Sequence, residues 1–244
     1  PSAAEIAAGT VTLTLTTDDP AGPCEAVSAD VVITINPKVS VDPGTYGPYC
    51  SDETITLNGS ISGGVSTGTW SGGAGTFSNN TDLNATYTPT GAEIAAGTVT
   101  LTLTSDNPAA PCGPVSESTT ITIYRKVTIT TEPDNTGVCV GNATSLSVIA
   151  TGSNLSYQWY KNGAMIAGAT SSTLSFPSVT LADDASYYVI VSGESECDPV
   201  QSREVTLNVD ASITITTQPV STTKCEGENV IFTVVAGANG AALT

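Results

Sequence analysis

Apolar residues alternate with threonine and serine in short runs along most of the chain. In Thr98–Thr104 (TVTLTLT), Val99, Leu101 and Leu103 fall on one side and the threonines on the other, and Thr54–Ile61 (TITLNGSI) repeats the pattern. A period of two with β-branched residues on the polar side predicts half-buried strands. Gly, Pro, Asn and Asp interrupt the runs at short intervals, and no stretch of about 10–12 residues carries a helical period. The expected structure is therefore all-β and antiparallel, with many turns. Glu93–Gly97 (EIAAG) is expected as a tight turn crossing between sheets.

The pattern recurs at the length of a domain. Glu5–Cys24 (EIAAGTVTLTLTTDDPAGPC) and Glu93–Cys112 (EIAAGTVTLTLTSDNPAAPC) lie 88 residues apart and agree at 17 of 20 positions. That spacing is too long for a solenoid unit and suits one sandwich. A second repeat relates Ile129–Cys139 (ITTEPDNTGVC) to Ile215–Cys225 (ITTQPVSTTKC), 86 residues on. Four pieces follow: residues 1–36 as the C-terminal part of a domain, 37–124 as a complete copy, 125–210 as a complete domain of a second type, and 211–244 as the start of another. Both ends of the chain are thus expected inside domains of a longer protein.

The six cysteines fit these divisions. Each complete domain holds two, giving the expected disulfides Cys50–Cys112 and Cys139–Cys197, with Cys24 and Cys225 left unpaired in the two partial domains. Each bridge would close a loop of about 60 residues and contribute about 4 kcal/mol on the chain-entropy estimate. Disulfides of this kind imply an oxidising, extracellular or cell-surface setting.

Composition removes several functions. The net charge is −17, and the six basic residues (Lys38, Arg125, Lys126, Lys161, Arg203 and Lys224) are scattered, which argues against a nucleic-acid partner. No apolar run is long enough to span a bilayer. The chain contains no histidine, which excludes Ser-His-Asp and Cys-His catalysis and most zinc sites, and it has no P-loop or dinucleotide-binding motif. The paired carboxylates Asp18/Asp19 and Asp183/Asp184 fall in turns at strand ends rather than in a cleft. Acidic residues at domain junctions, such as Asp42 and Asp210, are isolated and lack the DxDxDG run of a calcium loop. No enzyme, metal or cofactor is expected.

Two segments carry family resemblances. Leu155–Gly163 (LSYQWYKNG) sets Leu155, Tyr157 and Trp159 on one strand face, followed by turn residues. Asp184–Val191 (DASYYVIV) then places Asp184 four residues before Tyr188 and six before Ile190. This resembles the D-x-G/A-x-Y-x-C pattern of immunoglobulin-like domains. The resemblance implies Trp159 on strand C, Tyr188 as the tyrosine corner, and Val148 and Ile190 as an aliphatic pair where the inter-sheet disulfide usually sits. The displaced cysteines Cys139 and Cys197 would then form a bridge near one end of the sandwich. In the first domain type, Thr67–Phe77 (TGTWSGGAGTF) and Ala85–Gly91 (ATYTPTG) before a long strand resemble PKD-type domains, with Trp70 in the core. Gly72–Gly75 (GGAG) replaces the acidic turn common there.

The whole chain resembles the giant cell-surface adhesins of Bacteroidetes, including SprB-type gliding-motility adhesins and other cargo of type IX secretion. The architecture this implies is a rod of tandem immunoglobulin-like and PKD-like antiparallel β-sandwiches. The expected function is a structural stalk or filament segment serving surface adhesion or gliding motility. Its partners would be neighbouring repeats of the same chain, with surface glycan or protein ligands bound through other regions. Two alternatives remain open: a glycan- or protein-binding module, or an accessory repeat region of a large secreted hydrolase.

Overall fold

The computed structural model describes residues 1–18 and 22–238. The chain divides into two compact units, Pro1–Ile123 and Tyr124–Thr244.

The first unit opens with helix α1 (Ala3–Ala8) and a hairpin of β1 (Thr10–Thr16) and β2 (Ser28–Thr34). A sandwich follows, built from β3 (Ser40–Asp42), β4 (Tyr49–Cys50), β5 (Ile55–Thr56), β6 (Ser60–Ser62), β7 (Gly68–Gly72), β8 (Thr76–Phe77), β9 (Thr86–Thr88), helix α2 (Gly91–Ala96), β10 (Thr98–Ser105) and β11 (Ser116–Tyr124). One sheet has the order β4-β11-β10-β7; β5-β9-β8 and β3-β6 pair separately. Alternation decides which side chains meet between them: Val99, Leu101 and Leu103 of β10 pack with Ile55, Leu57, Trp70, Tyr87, Ile121 and Ile123. The intervening threonines stay outside, where Thr100, Thr102 and Thr104 pair by hydroxyl with Thr120, Ser118 and Ser116 across the hairpin.

The hairpin β1–β2 repeats the β10–β11 register residue for residue, with Val11 opposite Ile33 as Val99 is opposite Ile121. Its apolar face is nevertheless open. Leu13 and Leu15 are 52% and 77% exposed, whereas their counterparts Leu101 and Leu103 are both 0% exposed.

EIAAG is a helix rather than the expected tight turn. Thr90 caps α2 by accepting from the Glu93 amide while Glu93 reaches back to the Thr90 amide, and Gly97 closes it with φ 79°. Ser2, Glu5 and Gly9 do the same for α1. Such a capping box with a left-handed glycine makes one and a half turns stable without an apolar stripe.

The second unit contains β12 (Thr128–Thr131), β13 (Thr136–Cys139), β14 (Thr144–Ser147), β15 (Ile149–Thr151), β16 (Ser156–Lys161), β17 (Ala164–Met165), β18 (Thr173–Phe176), β19 (Ala185–Ser192), β20 (Val200–Gln201) and β21 (Val205–Asp210). The main sheet runs β13-β21-β19-β16-β17, with β13 parallel to β21. Asn162 and Gly163 (φ 48° and 79°) make the tight turn between β16 and β17. The core gathers Leu146, Val148, Trp159, Tyr187, Val189, Val191 and Leu207. Beyond it, β22 (Ile213–Thr217) pairs with β23 (Val235–Ala238), and the apolar residues of β22 are exposed.

Candidate functional site

Three of the candidate carboxylates, Asp183, Asp184 and Asp42, are engaged by backbone amides. Asp183 accepts from the amide and hydroxyl of Thr180, each at 2.9 Å, and lies 3.6 Å from the Lys161 ammonium. The Thr180 amide is the main cause of its lowered pKa. Asp184 accepts from the Val209 amide at 2.9 Å, tying the 3₁₀ turn at Leu181–Asp183 to the last strand. Asp18 lies in the exposed loop after β1, and Asp19 is outside the described residues. Asp42 caps its own turn by accepting from the Gly44 amide. Asp210 follows the last core position, Val209, and its carbonyl accepts from the Val140 amide. Among the described residues no three potential metal ligands converge, and no helix is long and apolar enough to cross a membrane. A groove of about 600 Å³ at Thr136, Ala143–Ser145 and Ser175–Pro177 is lined by hydroxyls and Phe176, with no titratable group.

Of the expected core residues, Trp70, Trp159 and Val148 are buried. Both indoles donate to backbone carbonyls, Trp70 to Leu83 and Trp159 to Ser171, so neither ring is free to stack on a ligand. Tyr188 and Ile190 lie elsewhere than expected. They point to the outer face of β19 and are half-buried, while Tyr187 and Val189 are 0% exposed. The Tyr187 hydroxyl donates to the Asp183 carbonyl at 3.0 Å and forms the tyrosine corner. Val189, opposite Trp159, takes the aliphatic position facing Val148 that Ile190 was expected to hold. The pattern therefore begins at Asp183, and a one-residue slip turns every side chain of a strand to the other face. Outside, Tyr188 stacks on Tyr160, with ring centroids 4.8 Å apart and planes within 5°.

The first sandwich holds a polar cluster that motif reading did not single out. Glu93 Oε1 accepts from the Tyr87 hydroxyl at 2.8 Å and from the Ala74 amide at 2.7 Å, while Oε2 accepts from the Thr90 amide and hydroxyl. The Tyr87 hydroxyl in turn accepts from the Gly75 amide at 2.8 Å. Burial alone would raise the Glu93 pKa, but these donors outweigh it and bring it down to about 2. Burial, helped by the Glu93 carboxylate, pushes Tyr87 up to about 12. Gly73 (φ +65°) is required here, because a Cβ would lie 2.1 Å from the Tyr87 hydroxyl oxygen. The Gly-rich segment thus wraps a tyrosine–glutamate pair. The signal in the sequence was the T-x-x-E box at Thr90–Glu93.

The cysteines overturn the expected pairings. Cys50 and Cys197 are disulfide-bonded, whereas Cys24, Cys112, Cys139 and Cys225 carry free thiols. Neither Cys50–Cys112 nor Cys139–Cys197 is formed. The reason is position. Cys139 sits opposite Asp210 at the end of the last strand, while the Cys197 sulfur lies 3.8 Å from the carbonyl oxygen of Tyr124, where the unit begins. Since Ala185 of β19 is already opposite Leu207 and the strand then runs on to Ser192, these two levels are about 30 Å apart by strand rise. In the first sandwich, Cys112 lies in the loop joining β10 to β11, whose Ala109 and Ala110 carbonyls accept from Asn36 at the start of the domain. Cys50 is bonded to the Glu53 turn, two residues before Ile55, which pairs with Tyr87 near α2 at the other end. A disulfide needs Cα atoms within about 7 Å. The residue before the second strand and the residue after the sixth are at opposite ends of such a sandwich.

Residues 126–210 match the family model described as "Ig-like domain CHU_C associated". No curated protein matches the chain. Among solved structures, three titin domains (I67–I69, an E-to-A variant) align over 84% of this chain and 77% of theirs, at 15% identity and TM-score 0.53. The eight N-terminal Ig domains of a Down syndrome cell adhesion molecule isoform align over 83% of this chain and 28% of theirs, at 14% identity and TM-score 0.60. Domains 3–5 of Drosophila OTK align over 75% and 66%, at 15% identity and TM-score 0.50. The chain thus spans about two thirds of the OTK fragment and less than a third of the adhesion-molecule fragment. At these identities the likeness defines the fold, which is all-β, with immunoglobulin-like sandwiches in tandem.

Proposed function

We propose that this chain is a stalk segment of a large secreted cell-surface adhesin of the SprB-type, type IX-secreted class, serving surface adhesion or gliding motility. The observation that carries this reading is repetition without chemistry. Two copies of an 88-residue unit keep 17 of 20 positions across a strand and its following loop, and in the complete copy the conserved leucines are core. A repeated recognition loop would diverge between copies, whereas a repeated spacer has no reason to. The match of residues 126–210 to a Bacteroidetes-linked type of Ig domain supports the same class, and an extracellular setting agrees with the disulfide. The first domain type enters this scheme as a PKD-like spacer, and ligand binding belongs to other regions of the parent chain.

A glycan array probed with the chain tests the reading. Signal no stronger than an unrelated sandwich is the expected result. Selective binding that is lost in Tyr160→Ala or Tyr188→Ala would replace the stalk with a binding module. That second reading is favoured by the outward Tyr160–Tyr188 stack, because aromatic faces on a rigid sheet suit sugar rings.

A further inference from the structure

We propose that the β1–β2 hairpin is a second completing hairpin for the β3–β9 half of the first sandwich, and that its occupant is that half in a second copy of the chain. The two hairpins match on the face that enters the core. Val11, Leu13 and Leu15 of β1 repeat Val99, Leu101 and Leu103 of β10, and Ile33 and Ile35 repeat Ile121 and Ile123. Where β11 has Glu117 and Thr119 on this face, β2 has Ala29 and Val31, so the open hairpin is the more apolar of the two. Val31 and Ile33 are 57% and 46% exposed. The end of the hairpin is repeated as well. The Thr17 amide donates to the Val27 carbonyl and its hydroxyl accepts from the Val27 amide at 3.0 Å, as the Ser105 amide and hydroxyl do with Val115.

The pairing of β10 sets the partner surface. β7 lies beside β10 with Gly72 opposite Leu101 and Trp70 opposite Leu103, and the same register puts Gly72 opposite Leu13 and Trp70 opposite Leu15. The residue that differs along this contact, Thr17 for Ser105, falls opposite Gly68, which has no side chain to obstruct it. Area favours this occupant over two hairpins stacked face to face. A face two strands wide and seven residues long projects over about 230 Å². Two of them stacked, with side-chain relief doubling that figure, bury about 900 Å², short of the roughly 1,200 Å² of a stable dimer. The half-sandwich adds a strand ladder and the Trp70 and Tyr87 rings to the same face.

The half-sandwich of its own chain is out of reach. Thr34 in the place of Thr122 would lie seven strand positions, about 23 Å, from Val115, which shares a groove with Val39. The five steps from Thr34 to Val39 span at most about 18 Å. In the wild-type chain β10–β11 is tethered to β9 through α2 and holds the site at an effective concentration on the order of mM. Capture by a second copy therefore requires β10–β11 to be withdrawn. The proposal rests on the repeated hairpin and is independent of the stalk role.

Co-refolding from urea tests it, with a thiol reductant present so that no disulfide joins two chains. The acceptor is the full chain carrying Leu13→Asp, Leu15→Asp, Leu101→Asp and Leu103→Asp, which keeps the half-sandwich and has no hairpin able to enter a core. The donor is the wild-type chain. The expected result is a 1:1 complex of twice the 24.5 kDa chain mass by light scattering, reduced at least tenfold in yield when the donor carries Leu13→Asp and Leu15→Asp. Two species eluting as monomers, or an equal yield with the substituted donor, would overturn the proposal. Should the fourfold variant fail to refold, Leu101→Asp/Leu103→Asp alone decides. It keeps its own β1–β2 and is expected to form concentration-dependent oligomers, each copy handing its hairpin to the next. A compact monomer at all concentrations would overturn the proposal equally.

Discussion

Glu93 has an unusually large number of partners for a surface-repeat carboxylate. Its counterpart Glu5 opens the same EIAAG segment and makes the same kind of cap, with Ser2 where the second copy has Thr90. Glu93 adds the Ala74 amide and the Tyr87 hydroxyl, which is why its pKa falls to about 2. A carboxylate depressed in the folded state contributes stability that is complete above its unfolded value near 4.5 and is lost as pH falls towards 2. Glu93→Gln is therefore expected to cost the first sandwich about 2 kcal/mol at pH 7, the scale of hydrogen bonds to a charged acceptor. The deficit should shrink between pH 4.5 and 2, read from urea melts across that range. A deficit that stays constant down to pH 2 would mean the charge is irrelevant. Tyr87, raised to about 12, works in the other direction: its phenol form is the bound one, so its contribution is present below pH 10 and lost as pH climbs towards 12.

Among the elements, the strands were the most legible. Alternation alone placed Val99, Leu101 and Leu103 inward, because a half-buried strand must present one face to the core. The helices were not, since six residues fall below any period and their stability comes from caps at Thr90, Glu93 and Gly97. The β19 register was misread for a different reason. Tyr187 and Tyr188 are adjacent tyrosines with aspartates at both matching offsets, and only the hydroxyl's partner, the Asp183 carbonyl, decides between them. Tyr187→Phe is thus expected to lower stability by about 1 kcal/mol, and Tyr188→Phe to leave the melting midpoint unchanged. The reverse order would restore the other register. The duplicated hairpins offer a matched comparison of the same kind. Leu101→Ala removes a fully buried side chain and should cost about 3 kcal/mol, whereas Leu13→Ala, in an identical local sequence, should cost less than about 0.5 kcal/mol. Similar losses at both sites would mean that the open face of β1–β2 is covered in solution.

For the whole molecule, counting cysteines was sound and pairing them was not. Two per domain suggested closure within the domain, because sequence distance says nothing about which end of a sandwich a residue occupies. The strand registers supply that missing fact within the second sandwich, where Cys139 lies opposite Asp210 at the end of the last strand and Cys197 lies beside the Tyr124 carbonyl where the unit begins. Cys139 keeps a free thiol, so Cys139→Ser is expected to leave the urea-unfolding midpoint of the oxidised protein unchanged. A loss approaching the roughly 4 kcal/mol that closing such a loop contributes would instead mean that Cys139 and Cys197 pair within the domain, and that the two ends of the sandwich come closer together than the strand register allows.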